Sequence, residues 1–288
     1  MLNIHITGAK GSIGSALSSA LEQRGDKLIF AKNPDLRIQN DSYYQQFDNP
    51  EEIDLIYHLA AASFVPDSWD NPAHFMDVNV MGTTKVLEFC REYNIRLVYV
   101  SSYAYGAPQY LPIDENHPVS AANPYGLSKL MGEDLCTFYG KHYDLEYTIV
   151  RPFNVYGTLK NTKLLIPEII AQIENGDGIK VKDLSPKRDY VYIDDLIELL
   201  VLSGKNTNNQ IYNAGSGESF SVGEIIEICQ SVWGTNLKVE SAAVVRKNEI
   251  PETLCSTAKA QKELGWSPKF TFKEGIAAIK QRLANRNS

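Results

Sequence analysis

Thr7-Gly8-Ala9-Lys10-Gly11-Ser12-Ile13-Gly14 is the stretch on which the reading of the fold turns. Before it, residues 2–7 form a short run with the apolar, β-branched content of a buried strand. After it, residues 15–24 carry apolar or small side chains on one face and meet Gly25, a natural helix end. Glycines between a strand and a helix let the backbone turn sharply and approach a ligand phosphate. The helix start adds unpaired N–H groups at the positive end of its dipole. Glycine triplets also occur in plain turns, so it is the strand before and the helix after that point to a dinucleotide. The predicted contacts are Gly8, Lys10, Gly11, Ser12, Ile13 and Gly14.

Working outward, short runs rich in Ile, Leu and Val recur at 27–30, 53–59, 97–101 and 146–150, separated by amphipathic stretches at 73–93 and 125–142. This alternation predicts an α/β fold, a Rossmann-type doubly wound parallel sheet covered by helices on both faces. From Pro152 to Arg188 the grammar changes to Pro, Gly, Asn and Lys with shorter pieces, which predicts a smaller C-terminal substrate-binding lobe. Residues 1–155, with a return segment near 191–214, are expected to form the dinucleotide domain; 156–190 and 215–288 are expected to form the lobe. Further helices are expected at 194–202 and at 222–233, the latter capped by Ser221 with Glu224, with a strand at 211–213 and two closing helices after about residue 257.

Composition narrows the function classes. Of 288 residues, 43% are hydrophobic and 22% charged, ordinary globular usage, and 28 Lys and Arg against 35 Asp and Glu give a net charge of -7. An acidic chain is not drawn to nucleic acid or an anionic membrane, so an anionic ligand needs a local pocket. No apolar run nears the roughly 20 residues of a membrane span, and the start lacks a basic-then-apolar leader, which predicts a cytoplasmic chain. Cys90, Cys136, Cys229 and Cys255 have neither metal-ligand nor compact disulfide spacing and are read as reduced and packed; the five histidines make no ligand pair.

Cofactor choice is read at the end of the second predicted strand, where an acid holds the adenosine ribose hydroxyls and a cation suits a 2′-phosphate. The strand runs into Lys32 and Asn33 with Arg37 close behind, favouring NADP(H) over NAD(H); Asp35 is the competing acid. Farther along, Tyr125 and Lys129 are four apart on a predicted helix, hence on one face, and Asn123-Pro124 reads as its N-cap and first residue. A tyrosine of ordinary pKa, about 10, is a poor acid–base group at neutral pH, but an adjacent ammonium favours its phenolate. Ser101 and Ser102 close the preceding strand at the sheet edge where ligands bind, and Ser101 can hydrogen-bond a substrate oxygen.

Taken in order, these motifs resemble the extended short-chain dehydrogenase/reductase family, in its nucleotide-sugar epimerase, dehydratase and reductase branch. The resemblance covers nearly the whole chain: the glycine motif, His58-Leu59-Ala60-Ala61, Asn79-Val80-Met81-Gly82-Thr83, Ser101-Ser102, Tyr125 to Lys129, and Arg151-Pro152-Phe153-Asn154-Val155-Tyr156-Gly157. It implies that Ser101 and Tyr125 bracket the oxygen at sugar carbon 4, that Tyr125 moves the proton, and that Lys129 orients the nicotinamide ribose. Leu59, Ala60, Ala61, Asn79 and Phe153 are then further cofactor contacts, with Asn79 ordering the catalytic helix through backbone and His58 a structural strand-end residue. Ser102, Tyr103, Asn154, Arg188 and Arg246 are expected at a nucleoside diphosphate-sugar, the arginines on its diphosphate. Tyr212-Asn213-Ala214-Gly215 and Leu264-Gly265-Trp266-Ser267-Pro268 look like further nucleotide-sugar landmarks.

Departures from the family pattern exclude two chemistries. Dehydratases place an Asp-Glu pair directly after the hydroxyl residue, where this chain has Ser102 and Tyr103; the Cys and His of GDP-fucose synthase fall at Tyr103 and Leu164. Two activities survive. NADPH-dependent reduction of a 4-keto sugar nucleotide is the leading expectation, on Lys32 and on similarity of 65–69 and 246–251 to GDP-4-keto-6-deoxymannose reductases. UDP-hexose 4-epimerisation with tightly held NAD is the alternative. A non-catalytic dinucleotide sensor is disfavoured because serine, tyrosine and lysine are all present. Family members commonly pair two helices into a four-helix dimer interface; here these are 73–93 and 125–142, with Met76, Val80, Leu87, Leu130 and Phe138 as contacts of a homodimer.

Overall fold

The computed structural model describes residues 1–33, 37–158, 162–205, 208–244 and 249–287; Asp35 and Arg246 lie outside them. Its strands are β1 (Asn3–Thr7), β2 (Lys27–Ile29), β3 (Leu55–His58), β4 (Arg96–Val100), β5 (Tyr147–Pro152), β6 (Asn154–Tyr156), β7 (Ile179–Val181), β8 (Lys187–Tyr192), β9 (Gln210–Ala214), β10 (Ser219–Ser221) and β11 (Val239–Ser241). The helices are α1 (Ser12–Gln23), α2 (Asp41–Tyr44), α3 (Val65–Asp70), α4 (Pro72–Phe75), α5 (Gly82–Tyr93), α6 (Pro124–Tyr143), α7 (Leu165–Asn175), α8 (Ile193–Lys205), α9 (Val222–Trp233), α10 (Ala258–Leu264) and α11 (Phe272–Asn287). No helix among the described residues is long and apolar enough to cross a membrane.

The chain divides into two compact units: Met1–Gly106 with Glu115–Pro152 and Ile197–Asn213, and Ala107–Asp114 with Phe153–Leu196 and Ala214–Ser288. The first holds a six-stranded sheet in the order β2-β1-β3-β4-β5-β9, with β1 to β5 paired in parallel. Helices cover both faces, as the all-buried β3 requires. Ile56 packs with Val86, Leu87 and Cys136 of α5 and α6, while the neighbouring Tyr57 points the other way and donates to the Leu200 carbonyl of α8 at 3.1 Å. Because β2 lies on one side of β1 and β3 on the other, the connections diverge between β1 and β3. That is where a doubly wound sheet opens a ligand crevice.

The expected helix at 73–93 is not uniform. Six residues, Met76–Met81, form a π turn between α4 and α5, which carries the buried Asn79. Leu87, expected at a dimer surface, is fully buried in the core.

The second unit carries the sheets β10-β8-β6 and β11-β7. Here the landmark Trp266 proves to be structural. Its buried indole donates to the Asp195 carbonyl at 3.0 Å, and the Asp195 carboxylate accepts the backbone N–H of Lys269 at 3.0 Å and of Phe270 at 3.2 Å. Asp195→Ala is therefore expected to lower stability by about 1–3 kcal/mol, since it removes the carboxylate that two partly buried amides donate to. A denaturant midpoint within error of the parent would contradict that. Asp189 works alike, its carboxylate accepting the N–H groups of Ser216, Gly217 and Cys255.

Candidate active site

At the β1–α1 junction Gly8 adopts φ +77°, where a side chain is strained, and a Cβ there would come within 2.8 Å of the Ala60 nitrogen. A Cβ on Gly14 would overlap the Gly8 carbonyl oxygen, so the helix can begin this close to the turn only with glycine. Gly11 donates to the Gly8 carbonyl at 2.9 Å and is the N-cap of α1, which has neither a side-chain cap nor an acid in its first turn. The helix start is thus electropositive and uncapped by the protein itself. A cleft of about 450 Å³ opens beside it, lined by Gly8, Arg37, Tyr43, Ala60, Ala61 and Val78 among others. Glycines, helix N-terminus and apolar walls suit a dinucleotide.

The second group sits on α6 and on the loop after β4. Asn123 caps α6, accepting the Gly126 N–H at 2.8 Å, with Pro124 in the first turn. One turn apart, Tyr125 and Lys129 share a face. Tyr125 is half-buried with its ring edge-on to Phe75, while Lys129 is 3% exposed and its ammonium lies 4.3 Å from the Tyr99 ring centroid. Burial pushes the Lys129 pKa down to about 8, with the Glu133 carboxylate working against it. Burial also raises the Tyr125 phenol above its ordinary value, and a hydrogen bond with Ser102 opposes the rise.

Ser102, rather than Ser101, is thus the hydroxyl the structure joins to Tyr125. Ser101 is 4% exposed, its N–H donates to the Val150 carbonyl at 2.8 Å, and its hydroxyl is buried without a partner. The resemblance gives Ser101 the place beside Tyr125 and Ser102 a substrate contact; which of the two turns toward α6 depends on where β4 ends. Asn79 lies one layer behind the cleft. It accepts the Ala62 N–H at 2.8 Å and donates to the Ala62 carbonyl at 3.0 Å and to Ser128 Oγ at 2.8 Å, tying the β3 loop to α6. This geometry is in keeping with the expectation that it orders the helix carrying Tyr125 and Lys129, its amide being engaged with the loop after β3 and with α6. His58 is structural too, held between the hydroxyls of Thr7 at 2.7 Å and Thr83 at 2.9 Å.

The remaining expected contacts fare differently. Of the two expected cations, Arg37 lines the cleft, but Lys32 pairs at the surface with Asp48 at 2.5 Å, both side chains being well exposed. In the second unit Asn154 donates to the Asp189 carbonyl at 3.0 Å, and the Arg188 guanidinium pairs with Glu249 and donates to the Ile250 carbonyl. Phe153 is buried, its N–H donating to the Ala214 carbonyl at 2.8 Å; Tyr103 is half-buried.

Residues 4–215 match the NAD dependent epimerase/dehydratase family. The chain belongs to it. A UDP-glucose 4-epimerase of Halalkalibacterium halodurans is 32% identical, over 93% of this chain and 91% of that protein. A GDP-6-deoxy-D-mannose reductase of Pseudomonas aeruginosa is 28% identical, over 96% and 95%. Among solved structures, that of a UDP-glucose 4-epimerase of Thermotoga maritima superposes with a TM-score of 0.91 over 100% of both chains at 23% identity, a likeness of fold. As an epimerase/dehydratase family member the chain is an NAD(P)-dependent enzyme of nucleotide-sugar chemistry. One cluster in this family site escaped the sequence reading: Arg151, cited only as part of a motif, holds Glu133 of α6 and reaches Tyr105. Its single trace was Glu133 standing four residues after Lys129.

Proposed function

We propose that the chain is a nucleotide-sugar 4-epimerase, taking a UDP-hexose, with NAD held between turnovers. The observation that carries this reading is the pairing of a Ser102–Tyr125–Lys129 group beside a dinucleotide cleft with full-length similarity to a UDP-glucose 4-epimerase at 32% identity. Tyr125 takes the proton of the carbon-4 hydroxyl as that carbon is oxidised and returns it to the ketone oxygen afterwards. Ser102 donates to the same oxygen and steadies the negative charge that builds on it. Lys129 supplies the nearby positive charge that makes a phenolate attainable and reaches the nicotinamide ribose. A bound nicotinamide supplies the hydride acceptor and donor. Gly8, Gly11 and the start of α1 hold its pyrophosphate, and Ala60 and Ala61 wall the cleft. Arg188 and Asn154 remain the proposed substrate contacts of the second unit.

A second reading, NADPH-dependent reduction of a 4-keto sugar nucleotide, draws on Arg37 in the cleft and on similarity to the GDP-6-deoxy-D-mannose reductase. Denaturing the purified protein and identifying the released nucleotide by chromatography separates the two. Bound NAD, together with conversion of UDP-galactose to UDP-glucose without added cofactor, is expected. A protein that purifies empty and oxidises NADPH only when given a 4-keto sugar nucleotide would be the reductase. Lys32→Asp is expected to change affinity for either cofactor less than about fivefold, since an exposed pair contributes at most about 1 kcal/mol.

The same reading includes a homodimer. On α6, Leu127, Met131 and Phe138 are exposed along one face, and Met81 is exposed just before α5, forming an apolar set that water does not favour. Met131→Glu is expected to convert a dimer to a monomer in light scattering; a parent protein that is already monomeric at micromolar concentration would sink this.

A further inference from the structure

We propose that Arg151 is a positioning residue for Lys129: by gripping the Glu133 carboxylate at two points, it keeps that carboxylate from capturing the Lys129 ammonium. The inference rests on the reading of Tyr125 and Lys129 as the acid–base pair. Glu133 follows Lys129 by four residues on α6, the spacing at which lysine and glutamate ordinarily bond each other. Both are buried, and in such surroundings the attraction between them is strong. Yet the Glu133 oxygens accept Arg151 Nε at 2.9 and 3.1 Å and a terminal nitrogen at 2.5 Å. The other terminal nitrogen donates to the Tyr105 hydroxyl at 2.8 Å, which donates to Asn213 at 2.6 Å. Arginine's fork matches the carboxylate, and the whole chain of polar groups is closed.

Few other charges reach these groups. Lys129 meets Glu133 and Cys136 from its own helix, Tyr99 from β4, and feels His58 from β3; Tyr125 lies one turn away. Glu133 is faced by Arg151 from β5 and acts on Tyr99 and Cys136. Burial keeps Cys136 and Tyr99 protonated and His58 neutral, so the charges that count are Lys129, Glu133 and Arg151. With Arg151 present, the glutamate is neutralised and the lysine stays depressed near 8, its ammonium turned to the Tyr99 ring. Without Arg151, the buried carboxylate has one cation left, and pairing with it draws Lys129 away from Tyr125.

The test is the titration of Lys129 in the protein as it purifies, with any bound cofactor kept the same in parent and variants, followed by NMR of lysines carrying a 13C label at the ε-carbon, with the Lys129 signal assigned by its loss in Lys129→Met. In Arg151→Met the Lys129 proton affinity is expected to rise tenfold or more, and in Arg151→Met/Glu133→Gln to return to the parent value, because charge is removed in a neutral pair. An unchanged titration in folded Arg151→Met overturns the proposal. Should that variant not fold, Glu133→Gln carries the test: it keeps the shape but removes the negative charge, and must lower the Lys129 proton affinity; an unchanged value overturns the proposal equally. Turnover against pH gives the independent readout, with the activity of Arg151→Met moved along the pH axis and restored in the double variant. If Lys129→Met retains full turnover, the acid–base reading fails, and the NMR result still decides whether Arg151 governs Lys129.

Discussion

Tyr125→Phe is expected to lower turnover by about 10²–10⁴-fold while leaving bound dinucleotide at the parent level, because only the proton-carrying hydroxyl is lost. The ring still packs against Phe75, and the glycine cradle lies on a different element. Ser102→Ala should follow with a loss of about 10-fold or more, since it removes the hydroxyl bonded to the phenol. Ser101→Ala should stay within about threefold, since the buried Ser101 hydroxyl makes no hydrogen bond and its replacement strands no partner. Measuring turnover and released cofactor in the three variants separates chemistry from binding. Near-parent turnover in Tyr125→Phe would rule out the mechanism, and a larger loss in Ser101→Ala than in Ser102→Ala would reverse the assignment of the serines.

A steep loss of stability in mild acid is the other large effect expected, and it comes from two histidines that the fold holds neutral. Burial lowers the pKa of His5 to about 4 against a partly compensating bond with the Ile29 carbonyl. It lowers that of His58 to about 3, helped by the Lys129 charge and by His5. Both sit in the first unit between hydrogen-bonding partners, His5 joining the Ile29 carbonyl to the Tyr43 hydroxyl and His58 joining Thr7 to Thr83. In the unfolded chain each titrates near 6.5. Below that pH the unfolded state binds protons that the native state refuses, so stability is fully present above about 6.5 and is lost as pH falls toward 4 for His5 and 3 for His58. The loss amounts to something on the order of 3 kcal/mol for each by pH 4, a large part of a typical domain's 5–15 kcal/mol. Urea midpoints between pH 7 and 4.5 check this: His58→Gln should flatten the curve by one proton's worth. Parallel curves for parent and variant would show that other groups govern the acid response.

How much of this was legible in sequence depends on how local each feature is. The sheet of the first unit was readable because β1, β3, β4 and β5 are short runs rich in Ile, Leu and Val and buried on both faces, and a strand of that kind needs helices before and after it. The caps of α6 and α9 were readable because a cap is made within three residues: Asn123 with Gly126, and Ser221 with Glu224. The cradle was readable because glycine is required by the backbone geometry at Gly8 and by the closeness of helix to turn at Gly14, both properties of a single loop. The face shared by Tyr125 and Lys129 follows from helical spacing alone.

Whatever depended on partners far along the chain was decided only by tertiary structure. Lys32 shows its ion-pair partner only in the fold, where Asp48, 16 residues later, meets it at the surface. Trp266 reads as a substrate landmark until its indole is found on Asp195, 71 residues away. Arg151 gave no sign of Tyr105 or Asn213, and Glu133 showed only as an acid four residues after Lys129, because α6, β5, the loop after β4 and β9 come together only in the folded unit. Residue type and spacing thus determined the elements and the face that Tyr125 and Lys129 share, since propensity, capping and periodicity act over a few residues. The choice between Ser101 and Ser102, the engagement of Asn79 and the neutralising of Glu133 belong to the folded chain, where burial makes the identity of each polar neighbour decide what a charge or a hydroxyl can do.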